Sequence, residues 1–139
     1  MKCRVKWLDH RSFVGESGSG HSVVMDGAPD SGGRNLGVRP MEMLLLGLGG
    51  CAAFDVVSIL QKSRQNMVDC EVLINAERSE DIPKVFTRIH MQFVVSGRDL
   101  KEAKVEKAVT LSADKYCSAT EMLGKTANIT HEYKILAIE

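Results

Sequence analysis

Several things are missing from this sequence, and each absence removes a class of function. It has no excess charge of either sign, since 18 Lys and Arg offset 18 Asp and Glu. No basic block is available to neutralise a phosphate backbone, so nucleic acid is not an expected partner. The most apolar stretch is preceded by Arg39 and Glu42 and interrupted by Asp55, so no run of membrane-spanning length is expected. Residues 1–7 alternate charged and apolar side chains, the pattern of a strand rather than of a signal peptide. A cytoplasmic location follows as the simplest expectation. The cysteines, Cys3, Cys51, Cys70 and Cys117, form no CxxC pair, no zinc-ribbon arrangement and no secreted disulfide framework. His10, His21, His90 and His131 make no HExxH or similar spacing, so a metal site would need long-range assembly and none is expected. With neither a GxGxxG after a strand nor a P-loop lysine, no nucleotide cofactor is expected.

A chain of 139 residues is the size of one domain, residues 1–139, and is long enough to bury a continuous core. Residues 3–7, 12–17 and 21–25 read as short strands. Asp9-His10-Arg11 and Gly18-Ser19-Gly20 are the turns between them, which gives an antiparallel meander. Residues 26–37 concentrate Gly, Asp, Ser, Pro and Asn, a loop long enough to suggest function.

A long helix is predicted next, from Pro40 to about Arg64. Pro40 suits the first turn and Glu42 the positive end of the helix dipole. Met41, Leu44, Leu45, Leu48, Cys51, Ala52, Val56, Ile59 and Leu60 recur with helical period, wide enough for burial on more than one side. Gly47, Gly49 and Gly50 each disfavour the helix by roughly 1 kcal/mol relative to Ala. They imply close approach by another helix, or a bend beside Cys51.

Beyond it, Cys70, Val72, Ile74 and Ala76 alternate with polar residues, and residues 85–96 carry the inward set Ile89, Met91, Phe93 and Val95. An amphipathic helix is predicted over residues 100–115. Ser118 and Glu121 match a capping box, which leaves Cys117 in the connection before a short helix ending at Gly124. A strand over residues 127–138 closes the chain. This order of strands, long helix, strands, helix and strand is α+β.

Buried cysteines are usually small hydrophobes. Cys51 and Cys117 stand out by their surroundings, one on a glycine-rich helix and the other beside a helix N-terminus that can depress a thiol pKa. Asp55 lies one helical turn beyond Cys51 and shares its face, where a carboxylate opposes a thiolate. A reactive Cys51 therefore needs a cation, and Arg11, Arg34, Arg39 and Lys115 are the candidates. Asp55 has Arg64 or a residue of a second chain as candidate partners. Glu42 is nine residues before Cys51, nearly opposite on an ideal helix.

The segment from Arg39 through Gly47-Leu48-Gly49-Gly50-Cys51 to Leu60 resembles the central-helix signature of OsmC/Ohr proteins. Lys115-Tyr116-Cys117-Ser118 resembles their second cysteine motif, with Ser118 where many active members have proline. The resemblance implies an OsmC-like α+β fold, with a long central helix packed with antiparallel strands in an intertwined homodimer. It further implies reduction of organic hydroperoxides by Cys51 as peroxidatic nucleophile and Cys117 as resolving cysteine. Glu42 would match the family's arginine-holding glutamate, with Arg34 or Arg39 as the activating arginine. No bound cofactor is implied, only an external dithiol reductant of lipoylated or thioredoxin type. The alternative is a non-catalytic OsmC-like redox sensor or hydrophobic-ligand-binding protein, because fold alone does not fix activity.

Overall fold

A computed structural model describes all residues from Met1 to Glu139, in two compact units, Met1–Leu46 and Gly47–Glu139. In the first unit, β1 (Cys3–Asp9), β2 (Ser12–Ser17) and β3 (Ser22–Met25) form an antiparallel sheet in the order β1-β2-β3. This is the expected meander. Its turns use residues that tolerate positive φ, at His10 and Gly20, and the Trp7 indole donates to the His10 carbonyl at 2.9 Å. The strands carry little core: β1 is exposed along its length, with Val5 at 63% and Trp7 at 59% exposure.

Hydrogen bonding makes up for that shortage. Asp26, only 1% exposed, opens the long loop and gathers it around one carboxylate. That carboxylate accepts from the Ser12 hydroxyl at 2.9 Å and from the N–H groups of Gly27 at 2.7 Å, Leu36 at 3.1 Å and Arg34 at 3.4 Å. Gly33 has to be glycine for this folding, because a Cβ there would collide with the Gly27 carbonyl. The loop suspected of function from its length is thus an ordered knot.

Helix α1 (Pro40–Lys62) begins in the first unit and continues through the second. In the second unit, Leu48, Ala52, Val56 and Leu60 form its fully buried stripe. Gly49 is met by the Ile74 side chain, since a Cβ there would lie 2.8 Å from Ile74 Cδ1. At Gly49 the close approach comes from a strand, while Gly47 and Gly50 have open space around them. By length and composition α1 does qualify as a membrane span, contrary to the sequence expectation, because Asp55 is too isolated to break the apolar character. Its buried stripe shows that part of that character serves packing.

Strands β4 (Asn66–Arg78) and β5 (Phe86–Arg98) pair antiparallel, and β6 (Asn128–Ala137) pairs parallel to β5. The sheet is consequently mixed and not wholly antiparallel. Two helices, α2 (Glu102–Leu111) and α3 (Ser118–Leu123), separate β5 from β6 and give the chain room to return in the same direction. Central β5 buries Ile89, Met91, Phe93 and Val95 as its alternation predicts, and α2 adds Val105, Ala108 and Val109 to the core. The amphipathic helix ends earlier than expected: after Leu111 the backbone widens into a π-turn, Ser112–Tyr116.

Candidate active site

The π-turn matters because of what it delivers. It carries Ser112, fully buried, against α1 and sets Cys117 at the start of α3. Cys117 is itself the N-cap: its sulfur accepts the Thr120 N–H at 3.4 Å. The expected Ser118 capping box is displaced by one residue, since Ser118 is already helical. Cys117 is 3% exposed, while Cys51 and Asp55 on α1 are half-buried.

These three residues converge. The two sulfurs and an Asp55 carboxylate oxygen all lie within 4.8 Å of one another. The Ser112 hydroxyl, hydrogen-bonded to the Ala52 carbonyl at 3.0 Å, also donates to Asp55 Oδ2 at 3.2 Å. Ser112, not Arg64, is thus the partner of Asp55. Burial pushes the Cys117 thiol above its ordinary pKa; the Thr120 hydroxyl and N–H work against that shift, and the neighbouring Cys51 adds to it. The depression expected from a helix N-terminus is outweighed, because one weak N–H···S bond does not replace the lost solvent. Both thiols are free.

Glu42, Arg34 and Arg39 lie in the first unit. The Glu42 carboxylate accepts the Arg39 main-chain N–H at 2.8 Å, as the third residue of a helix does for its N-cap. The Arg39 guanidinium is held by the Asn35 side-chain oxygen at 2.9 Å and the Gly37 carbonyl at 3.1 Å. Arg34 lies 3.6 Å from Asp9. In the second unit, Lys115 sits over the Tyr116 ring at 5.3 Å.

Sequence reasoning missed Ser112. A serine in an amphipathic helix gives no signal by spacing, and only the π-turn directs it at α1. Asp26 was missed for a similar reason: among many loop residues with acidic or amide side chains, nothing local marks the one that is buried. Cys70, held above the ordinary thiol range by burial and then by Asp69, is a poor thiolate and belongs to the β4 packing face. Cys3 is exposed on β1. Near the thiols, a cavity of about 350 Å³ is lined by Phe54, Asp55, Ser58, Ile59, Lys62, Leu111 and Tyr116. Another, of about 330 Å³, is lined by residues that include Cys117, Tyr116 and Met122.

Comparison with known proteins gives one pattern throughout. The family model described as OsmC-like protein matches residues 32–132. Protein YhfA of Escherichia coli strain K12 is 55% identical over 137 residues, covering 99% of both chains. A structural-genomics structure 52% identical in sequence superposes with a TM-score of 0.90 over 99% of this chain and all of its own. The organic hydroperoxide resistance protein OhrB of Bacillus subtilis, 17% identical, shares the fold at a TM-score of 0.62 over 96% of this chain and 98% of its own.

Proposed function

The chain belongs to the OsmC/Ohr-like family, and from that premise we propose that it reduces organic hydroperoxides with Cys51 as peroxidatic and Cys117 as resolving cysteine. The observation that carries this reading is the approach of two free sulfurs, from α1 and from the start of α3, to within 4.8 Å. A disulfide needs about 2.05 Å between them, so the two side chains must still close on one another for the bond to form.

In this reading the Cys51 thiolate attacks the terminal peroxide oxygen, the O–O bond breaks, and the departing alkoxide takes a proton to leave as alcohol. Cys51 is then a sulfenic acid. Cys117 loses its proton and attacks the Cys51 sulfur; the S–O bond breaks, hydroxide takes up a proton to leave as water, and the disulfide remains. An external dithiol, lipoylated or of thioredoxin type, returns both thiols. Burial, which raises the Cys117 pKa, suits this thiol to the second role rather than to that of first nucleophile.

Asp55 beside the sulfurs makes a cation necessary for the first step. Arg34 and Arg39 are the candidates to supply it, with Glu42 as the carboxylate of that group. We also take the working unit to be a cytoplasmic homodimer. Exposed Leu44, Leu46 and Phe54 on α1, the last at 74%, together with the open surroundings of Gly47 and Gly50, support burial of this helix by a second copy.

Turnover tests the proposal directly. With an alkyl hydroperoxide and a dithiol, Cys51→Ser is expected to abolish consumption; Cys117→Ser is expected to permit one oxidation and then leave Cys51 open to overoxidation. Parent-rate turnover by Cys51→Ser would remove the nucleophile. A second reading, binding of a hydrophobic ligand, is supported by the cavity of about 350 Å³ beside Phe54, Ile59, Leu111 and Tyr116, which Asp55, Ser58 and Lys62 also line. Tight ligand binding without turnover would select it.

A further inference from the structure

We propose that Cys51, Cys117 and Asp55 form a three-ligand site for a divalent cation of the zinc class. The inference goes beyond thiol turnover and holds whether or not the protein reduces hydroperoxides. It begins with charge. Two potential thiolates and a carboxylate meet at one half-buried point, and Asp55 has a hydroxyl partner but no ion pair with Lys or Arg. Once the thiols ionise, that point gathers negative charge that no ion pair offsets.

The donor set then selects the ion. Two sulfurs and one oxygen suit a borderline-soft cation; magnesium and calcium, which take oxygen shells, are excluded. In a tetrahedral site, zinc bonds of about 2.3 Å to sulfur and 2.1 Å to oxygen put the ligand atoms roughly 3.6–3.8 Å apart. All three pairs are already within 4.8 Å, so a contraction of about 1.2 Å at most brings them to that spacing. Cys51 and Asp55 are one helical turn apart on α1, and Cys117 is the residue that ends the π-turn.

The surroundings also match a ligated state. Ser112 orients the Asp55 carboxylate through a hydroxyl anchored on α1. The Thr120 N–H points at Cys117 Sγ. The Thr120 hydroxyl, buried and with no other hydrogen-bond partner, favours the Cys117 thiolate. The fourth tetrahedral position is left to water. An ion held here keeps both sulfurs as thiolates and blocks the bond between them.

Equilibrium dialysis of the fully reduced protein against zinc, with cobalt as a spectroscopic probe, tests the site. One zinc per chain is expected, and bound cobalt is expected to show thiolate charge-transfer absorption with tetrahedral ligand-field bands. Cys51→Ser and Cys117→Ser should lose that absorption, while the Cys3→Ser, Cys70→Ser double variant should keep it. Ser112→Ala is expected to weaken binding by about 10- to 100-fold. Asp55→Asn should bind more weakly while retaining the sulfur signature. Octahedral cobalt without thiolate absorption in the parent protein, or binding unchanged in both Cys51→Ser and Cys117→Ser, would overturn the proposal, and the parent cobalt spectrum decides even where a variant fails to fold.

Discussion

The two units of the chain hold their structure by different means. The first has exposed strands and a loop drawn around one buried carboxylate; the second has a packed apolar core of α1, β5 and α2. Burial is tolerant and distributed, whereas a hydrogen-bonded knot depends on one group in one protonation state. The first unit should therefore respond to acid and the second to loss of side-chain volume.

The largest effect should come from the second core. Phe93→Ala removes a fully buried ring on β5 and is expected to cost about 3–5 kcal/mol in denaturant unfolding, whereas Val5→Ala on exposed β1 should change stability by less than about 0.5 kcal/mol. A large loss at Val5 would show that another surface covers the first sheet.

Acid sharpens the contrast. Burial acts to raise the Asp26 pKa, but hydrogen bonds from Leu36, Ser12, Gly27 and Arg34 outweigh it and hold the carboxyl below its reference value of 3.8. A group depressed in this way stabilises the fold fully above the unfolded value, and that contribution is lost as pH falls through the lower folded one. Protection of the Leu36 and Gly27 amides relative to their intrinsic exchange rates should fall below about pH 4, close to the unfolded carboxylate value, and Asp26→Asn should show low protection already at neutral pH. If the variant keeps its neutral-pH protection, Asp26 is not what orders the loop.

The smallest effect belongs to the helix that runs through both units. Gly47→Ala and Gly50→Ala meet open space and should each raise the stability of an isolated chain by roughly 0.5–1 kcal/mol. If a second copy packs closely there, the same changes should weaken self-association, which sedimentation detects. Stabilisation with unchanged self-association would break the link between these glycines and a second copy.

What was legible in the sequence follows the same division. The meander, the α1 segment and the inward alternation on β5 were readable because a buried face repeats with the period of its element. The parallel return of β6 was not, since strand direction depends on how the intervening helices travel. Cys51 and Asp55 were readable as neighbours from helical spacing alone. Their approach to Cys117 was implied only by the family resemblance and not by spacing, because it depends on a π-turn whose residues, Ser-Ala-Asp-Lys-Tyr, also suit an ordinary helix. The N-cap role of Cys117 was obscured by Ser118, a better capping residue that ends up one position too late.

The central claim is that Cys51 and Cys117 act as one redox pair. Its most direct test is stopped-flow oxidation of the reduced protein with one equivalent of alkyl hydroperoxide, followed by acid quench and peptide mapping. Rapid consumption of the peroxide, faster than with hydrogen peroxide, and a single new disulfide between Cys51 and Cys117 are expected. Slow consumption of both peroxides, or oxidation that leaves these two cysteines unlinked, would contradict it.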